Sequence, residues 1–185
     1  MRKRVLIYPE HEKTLRQVCE PVARVDKKIL GLIEDLTDTL LSQPGVGLAA
    51  PQIGVLKQVA LVRLGQTHDN PDAKLSDPIP LINPRIVSAS AEENKDYDAC
   101  LSIPHLYGYT YRAQQVTVAT LTVKGEEQIL ELSGLDARVA LHEMDHLKGV
   151  LFTDHIRSQD DLYIIKHDKN GNPIWIKMSE MAKYL

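Results

Sequence analysis

Apolar side chains recur at helical spacing between residues 26 and 41, and this pattern predicts an N-terminal helix. Asp26 precedes the first of them, at the position where a carboxylate commonly caps the free backbone N–H groups of a helix. Pro44 and Gly45 follow the last apolar residue and are expected to stop the helix. The apolar positions are Ile29, Leu30, Ile33, Leu36 and Leu40.

Later stretches are rich in β-branched residues or concentrate apolar residues between turn signals, as strands do. The predicted strands cover residues 58–62, 80–89, 116–123 and 128–132. The turn at residues 124–126 is expected to join the last two of these into a hairpin. A second hairpin is expected near the C-terminal end, where residues 163–165 and 174–176 flank the polar segment 168–173.

A second helix is predicted from Ser133 onward, because Ser133 and Asp136 resemble a capping box at a helix N-terminus. We expect this helix to reach Lys148, with Gly149 as its C-cap. Residues 45–54 are expected to form a tight loop between the first helix and the first strand.

The dispersed strands and the small number of helices favour an α+β architecture over an alternating α/β one. We expect small mixed or antiparallel sheets packed around the second helix, together with the N-terminal helix. Residues 65–80, rich in proline, glycine and polar side chains, are expected to form a surface loop. A length of 185 residues suits one domain, so residues 1–185 are interpreted as a single domain.

Composition excludes several classes of protein. The chain is 43% hydrophobic and 25% charged, which is typical of a globular domain and excludes disorder. Its net charge of −3 argues against nucleic acid as the main ligand. Two cysteines are too few for a disulfide framework, and no apolar run is long enough for a membrane span or a signal peptide. We therefore expect a cytoplasmic protein without membrane association.

A metal-binding pattern lies within the predicted second helix, where His142 and His146 are four positions apart. Residues at this spacing share one helical face, so both imidazoles can bind one metal ion. Glu143 would then lie beside the ion, where it can take a proton from a water molecule. The alternative interpretation is a charged helix face with two partly buried histidines.

A catalytic metal site needs a third protein ligand. Residues 147–152, which follow the histidine pair, contain neither the glutamate nor the third histidine that known HExxH protease classes use as a further ligand. His155 lies beyond the expected helix end and is a weak candidate. Cys100 would complete a Cys/His/His site with an open fourth position, although a lone cysteine is more often a small buried hydrophobe. Because Cys100 occurs together with the histidine pair, we favour its role as a metal ligand.

Residues 45–54 combine several glycines with one amide side chain, that of Gln52. Glycines allow a ligand to approach the backbone closely, and the amide can make directional hydrogen bonds. The segment matches neither a phosphate-binding loop nor the GxGxxG pattern. By itself it is equally compatible with an ordinary connection between helix and strand.

Three motifs, in this order, resemble those of the peptide deformylase family, whose patterns are GxGxAAxQ, EGCLS and HExDH. They are GVGLAAPQ at residues 45–52, DACLS at residues 98–102 and HEMDH at residues 142–146. The resemblance extends from about Val5 to Arg157, and the joint occurrence of three motifs makes it specific. The segment after Arg157 is interpreted from its composition alone.

The resemblance implies a metal-dependent hydrolase that removes the formyl group from the N-terminal formyl-methionine of new polypeptides and releases formate. The implied ion is Fe²⁺, with Zn²⁺, Ni²⁺ or Co²⁺ as substitutes. Glu143 would be the general acid and base, and Gln52 and the Leu101 N–H would stabilise the oxyanion. The implied metal ligands are Cys100, His142 and His146.

The same interpretation places the substrate backbone alongside Gly45, Val46 and Gly47 as an added strand. The methionine side chain would enter an apolar pocket formed by Val46, Leu135 and Val139. The substrates would be nascent polypeptides, met in the vicinity of the ribosome.

Two positions depart from the family pattern. Asp98 and Ala99 replace its Glu-Gly, and Tyr107 stands where many members have an arginine. Alanine cannot adopt glycine-only backbone angles, and a displacement beside Cys100 would misplace both a ligand and an oxyanion donor. We expect slower turnover than in members with Glu-Gly, with Arg112 as a candidate partner for the Asp98 carboxylate.

Two alternatives stay open at this point. One is a different HExxH metallohydrolase, such as a peptidase, which would attack unformylated peptides. The other is an inactive homologue that binds peptides without turnover. The presence of Gln52, Cys100 and Glu143 argues against the inactive homologue.

Overall fold

The structure is a computed structural model that describes residues 1–67, 70 and 72–184. These residues form three α-helices, nine strands and several 3₁₀ helices. The α-helices are α1 (Glu12–Leu15), α2 (Lys27–Leu41) and α3 (Gly134–His146). The strands are β1 (Gly47–Ala49), β2 (Val59–Val62), β3 (Ile79–Ala89), β4 (Glu93–Cys100), β5 (Ile103–Ala113), β6 (Gln115–Leu121), β7 (Glu127–Ser133), β8 (Leu162–His167) and β9 (Pro173–Lys177).

The strands form two antiparallel sheets, which confirms the predicted α+β class. The first sheet has five strands in the order β1-β2-β3-β6-β7, and the second has four in the order β4-β5-β8-β9. Strand β1 is therefore at an edge of the larger sheet. In the part of the chain that the structure describes, no helix is long and apolar enough to cross a membrane.

Helix α3 packs against β1, β2 and β7 of the larger sheet and also reaches β5 of the smaller one. Its apolar residues Ala137, Ala140 and Met144 join Leu81 and Val118 in a buried cluster. Helix α2 covers another part of the larger sheet, where its side chains pack against β1 and β2. Because α3 contacts both sheets, a residue near its end can meet residues from either of them.

Several predicted elements are confirmed. Asp26 caps α2, since its carboxylate accepts hydrogen bonds from the backbone N–H groups of Lys28 (2.9 Å) and Ile29 (3.1 Å). All six predicted strands are present, with ends shifted by at most two residues. The described part of the predicted loop 65–80 contains no helix or strand before Ile79, and its residues 68, 69 and 71 lie outside the described residues.

Other predictions about local structure were wrong. Residues 45–54 are more regular than a loop, because β1 pairs with β2 and a 3₁₀ helix (Ala50–Ile53) follows directly. Ser133 does precede α3, but its side chain makes no capping hydrogen bond. Asp136 instead accepts a hydrogen bond from the backbone N–H of Gly65 at 2.9 Å, so the proposed capping box does not form.

Helix α3 ends two residues earlier than predicted, at His146 instead of Lys148. Gly149 has φ +72°, a left-handed conformation suited to glycine, and its N–H donates to the carbonyl of His146 at 3.2 Å. Helix α1 and the long hairpin of β4 and β5 were not predicted. The hairpin matters for the site, because β4 ends at Cys100.

The packing of α2 yields a test of the core. Leu36 is fully buried, whereas Leu30 on the same helix is 37% exposed. We expect Leu36→Ala to lower the free energy of unfolding by about 2–5 kcal/mol, because it leaves a cavity beneath the sheet. Leu30→Ala, the matched control, should lower it by less than about 1 kcal/mol. Chemical denaturation measures both, and equal losses would contradict this packing.

Candidate metal centre

Cys100 at the end of β4 meets His142 and His146 in the last turn of α3. One ligand atom from each residue lies within 4.8 Å of the other two, and all three residues are buried. Cys100 Sγ is 3.2 Å from His146 Nε2. A thiolate and two imidazoles are the donors of a catalytic metal site with an open coordination position. These residues therefore fit a divalent transition-metal ion.

The orientation of His142 is set by a carboxylate from β4. Asp98 Oδ1 lies 2.7 Å from His142 Nδ1, which leaves the Nε2 atom of the ring for an ion. Asp98 Oδ2 accepts from Thr110 Oγ1 (3.0 Å) and from Arg112 Nε (2.9 Å). Burial opposes ionisation, but His142 and Arg112 hold the pKa of Asp98 well below its usual range. The candidate partnership of Arg112 with Asp98 is thus present.

Aspartate has a shorter side chain than the glutamate of the family pattern, but the Asp98 carboxylate still reaches His142. Ala99 lies within β4, and the described non-glycine residues with positive φ are Asn83 and His105. Ala99 therefore does not need the glycine-only angles considered from the sequence. The expected slower turnover stays a prediction, but backbone strain at Ala99 no longer supports it.

Behind Asp98, a chain of ion pairs continues away from the centre. Arg112 Nη1 also donates to Asp145 Oδ2 at 2.7 Å, and His155 Nε2 lies 2.8 Å from the same oxygen. His155, the weak candidate for a metal ligand, is thus engaged with Asp145 and is not part of the Cys/His/His group.

The environment of Cys100 favours its ionised form. Burial alone would raise the pKa of the thiol, but the charge of His146 and hydrogen bonds from both histidines outweigh burial and lower it to about 5. Metals bind the thiolate, so this environment suits the ligand role expected of Cys100.

Glu143 lies beside the ligand group with its carboxylate buried. Its Oε2 atom has no hydrogen-bond partner among the described residues, and burial raises its pKa to about 7. The Oε1 side of the same carboxylate faces Gly47, where an added Cβ would come within 2.2 Å of it. Only glycine fits there. The unpaired oxygen is not engaged by another protein group, so it can still accept a proton or a hydrogen bond, as the predicted proton-transfer role requires.

Gln52 holds its amide in a fixed direction. Its Oε1 accepts from the backbone N–H of Ala49 at 2.8 Å, and its Nε2 donates to Ser102 Oγ at 3.1 Å. The same Nε2 lies 3.5 Å from Cys100 Sγ, so the amide N–H group faces the ligand residues. Leu101 follows Cys100 directly, and an added Cβ on Gly45 would come within 2.9 Å of its side chain.

A cleft with a volume of about 800 Å³ opens onto these groups. Gln52, Leu101 and Glu143 line this cleft together with all of the predicted substrate-binding residues. The latter are Gly45, Val46, Gly47, Leu135 and Val139. Tyr97 and Arg63 also line the cleft, and no sequence motif had indicated either of them. The one sequence feature that indicated aromatic side chains along the cleft was the alternation of aromatic residues in β5.

Comparison with known proteins gives one consistent family. The family description "Polypeptide deformylase" matches residues 3–161. A peptide deformylase of Methylocella silvestris is 41% identical over 162 residues, covering 88% of this chain and 81% of the relative. Peptide deformylase 1 of Bacillus subtilis is 42% identical over 154 residues, covering 83% and 89%.

Solved structures agree with the sequence relatives. A peptide deformylase of Acinetobacter baumannii with bound Met-Ala-Ser has a TM-score of 0.77 and 32% identity, covering 84% of this chain and 99% of that one. The peptide deformylase of Ehrlichia chaffeensis has a TM-score of 0.78 and 32% identity, covering 85% and 89%. With this likeness of sequence, fold and ligand group, the chain belongs to the peptide deformylase family, metal-dependent hydrolases that remove the formyl group from N-terminal methionine.

Proposed function

We propose that the cleft hydrolyses the formyl amide of N-formyl-methionyl polypeptides, with separate residues for metal binding, proton transfer and oxyanion stabilisation. The observation that carries the proposal is the unpaired, buried oxygen of Glu143 beside Cys100, His142 and His146. A carboxylate in this position can move a proton between a water molecule and a leaving amine. The peptide bound to the Acinetobacter baumannii enzyme supports a linear peptide as the occupant of the cleft.

Cys100, His142 and His146 would hold the ion, for which we propose Fe²⁺, with Zn²⁺, Ni²⁺ or Co²⁺ as substitutes. Mixed sulfur and imidazole donors suit this group of metals. When bound, the ion supplies Lewis acidity, which makes a water molecule more acidic and polarises the formyl carbonyl. Asp98 supports the site by directing the Nε2 atom of His142 toward the ion.

Glu143 takes a proton from the attacking water as the oxygen–carbon bond to the formyl group forms. It then gives this proton to the amide nitrogen as the carbon–nitrogen bond breaks, which releases formate and a free N-terminal amine. Its burial keeps the proton within the site between the two steps, since bulk water has little access to the carboxylate.

Gln52 and the backbone N–H of Leu101 donate hydrogen bonds to the formyl oxygen while negative charge develops on it. Gln52 is suited to this role because Ala49 and Ser102 fix its amide before the substrate arrives. Donors that are already oriented need no rearrangement during the reaction, so their full interaction energy is available to the transition state.

The substrate would bind as an added strand, because β1 lies at an edge of the larger sheet. Gly45 and Gly47 lie beside the path along which the substrate would approach β1. The methionine side chain would fill the apolar part of the cleft formed by Val46, Leu135 and Val139. We propose nascent polypeptides near the ribosome as substrates, a cytoplasmic location, and residues 1–185 as one catalytic domain. No nucleic acid or membrane is required as a ligand.

The reaction itself is tested with metal-loaded protein prepared without oxygen. We expect formate release from formyl-Met-Ala-Ser and no cleavage of Met-Ala-Ser. Glu143→Gln should lower kcat/KM by at least about 10²-fold with unchanged metal content, because it removes the proton acceptor and leaves the ligands in place. Cleavage of internal peptide bonds would favour a peptidase, and binding without turnover would favour an inactive homologue.

The ligand set is tested by comparing the two cysteines. We expect Cys100→Ser to abolish stoichiometric metal binding, because it removes one of three protein ligands. Cys19→Ser is the matched control, since Cys19 is also buried but lies in the apolar core away from the ligand group. Mass spectrometry measures the metal content of both variants. Full occupancy in Cys100→Ser would mean that another residue is the third ligand.

The contact between Gly47 and Glu143 gives a separate test of the proton-transfer role. Gly47→Ala should lower kcat/KM by about 10²-fold, because the added Cβ displaces the carboxylate while the metal ligands stay in place. Gly31→Ala is the control, because nothing lies within 4 Å of an added Cβ there. Steady-state kinetics and metal content are measured for both proteins. Parental turnover in Gly47→Ala would contradict the position assigned to Glu143.

A further inference from the structure

His155 is the last residue of the 3₁₀ helix Phe152–His155, which comes after α3 in the chain. Its Nε2 atom lies 2.8 Å from Oδ2 of Asp145, the residue that precedes the candidate ligand His146 on α3. A carboxylate can only accept hydrogen bonds, so the histidine ring donates through Nε2. No step proposed for the reaction uses this contact, although it lies close to the candidate ligands.

A continuous series of hydrogen bonds connects His155 to the candidate ligand His142. Asp145 Oδ2, the atom that His155 contacts, also accepts from Arg112 Nη1 at 2.7 Å. Arg112 Nε in turn donates to Asp98 Oδ2 at 2.9 Å, and Asp98 Oδ1 lies 2.7 Å from His142 Nδ1. A movement of the Asp145 carboxylate would therefore reach the ring of His142 through two intervening side chains.

Arg112 is shared between two carboxylates, because Asp98 accepts from its Nε atom and Asp145 from its Nη1 atom. The third nitrogen, Nη2, is buried and has no acceptor among the described residues. Guanidinium and carboxylate groups commonly pair through two parallel hydrogen bonds. Asp145 already holds Nη1, so we expect that a rotation of its carboxylate brings the second oxygen to Nη2. Such a two-point pair would draw Arg112 away from Asp98.

The hydrogen bond from His155 opposes this rotation. Its Nε2 atom and Arg112 Nη1 hold the same oxygen of Asp145 from two directions. With two donors on one oxygen, the carboxylate cannot turn without breaking a charge-assisted hydrogen bond. His155 therefore keeps Asp145 in contact with Arg112 through one oxygen only.

The 3₁₀ helix that carries His155 is itself anchored on both sides. Asp154 accepts from Arg16 Nη2 at 3.0 Å, which connects the helix to the segment after α1. Phe152 is buried and stacks on the ring of His142, with ring centroids 6.4 Å apart. The helix therefore contacts His142 directly through Phe152 and indirectly through His155.

We propose that His155 is a positioning residue for the metal centre. It keeps Arg112 shared between Asp145 and Asp98, and Asp98 then holds the ring of His142 in the direction of the ion. The inference rests on the proposed function, because it assumes that His142 binds the ion. His155 itself touches neither the ion nor the substrate. Without its hydrogen bond, Arg112 moves toward Asp145, and the ring of His142 is held less firmly.

The test compares variants at position 155 in protein loaded with Co²⁺, whose visible absorption reports the coordination geometry of the ion. His155→Phe keeps a ring without a donor, and His155→Asn keeps an amide that is too short to reach Asp145. His155→Gln places an amide nitrogen near the position of the histidine Nε2. We expect the first two variants to change the spectrum and to release the ion to a chelator about 3- to 10-fold faster. His155→Gln should keep the parental spectrum and release rate.

Two further variants identify the route of the effect. His167→Phe is the matched control, because His167 is an exposed histidine at the end of β8, and it should behave as the parent. Arg112→Lys offers a single nitrogen, which cannot form the two-point pair with Asp145. Adding His155→Phe to Arg112→Lys should therefore leave the release rate of the Arg112→Lys protein almost unchanged. Thermal denaturation checks that every variant is folded.

Metal-free protein gives a measurement that does not depend on the ion. The proton between His142 Nδ1 and Asp98 is observed by NMR, and its chemical shift should change in His155→Phe and His155→Asn but not in His155→Gln. If the parent binds no Co²⁺, the proposed metal site fails, and this signal still decides whether His155 positions His142. Parental behaviour of both His155→Phe and His155→Asn overturns the inference. Equal changes in His155→Gln, or additive effects in the double variant, also overturn it.

Discussion

The hydrogen bond from His142 to Asp98 holds together the two halves of the site. It connects α3 to β4, so the candidate ligands His142 and Cys100 are fixed relative to one another. Asp98 can stay charged in the interior because Arg112 and Thr110 satisfy its second oxygen. A buried carboxylate without such partners would destabilise the fold by several kcal/mol, about as much as the whole net stability of many domains. The centre therefore depends on the polar partners that both Asp98 oxygens have in the interior.

Local patterns predicted much of the fold. The apolar spacing of α2 and the cap at Asp26 were sufficient because both depend on residues close in sequence. Strands rich in valine were found for the same reason. The hairpin of β4 and β5 was not, since its inward side chains include Asp98, Thr110 and Arg112, which are buried only because they bind one another. A pattern of hydrophobic positions along the sequence cannot predict that these polar side chains bind one another.

The residues of the site were more predictable than its surroundings. The spacing of His142 and His146 already places two imidazoles on one helical face, and the Cys100 motif supplied the third donor. The rings of Tyr97 and Trp175 come together only through the pairing of β4 with β5, of β5 with β8 and of β8 with β9. Because these residues are far apart along the chain, no local sequence pattern predicts that their rings meet.

The space between Gly47 and Glu143 also has a genetic consequence. Every amino acid other than glycine carries a Cβ, so each missense mutation at codon 47 brings an atom to within 2.2 Å of the carboxylate. Substitutions at this codon therefore form one class, whatever their polarity or size. The codon for Gly31 is under no such restriction, because the space around it is open. Random mutagenesis should recover sequence diversity at codon 31 and glycine alone at codon 47 among functional clones.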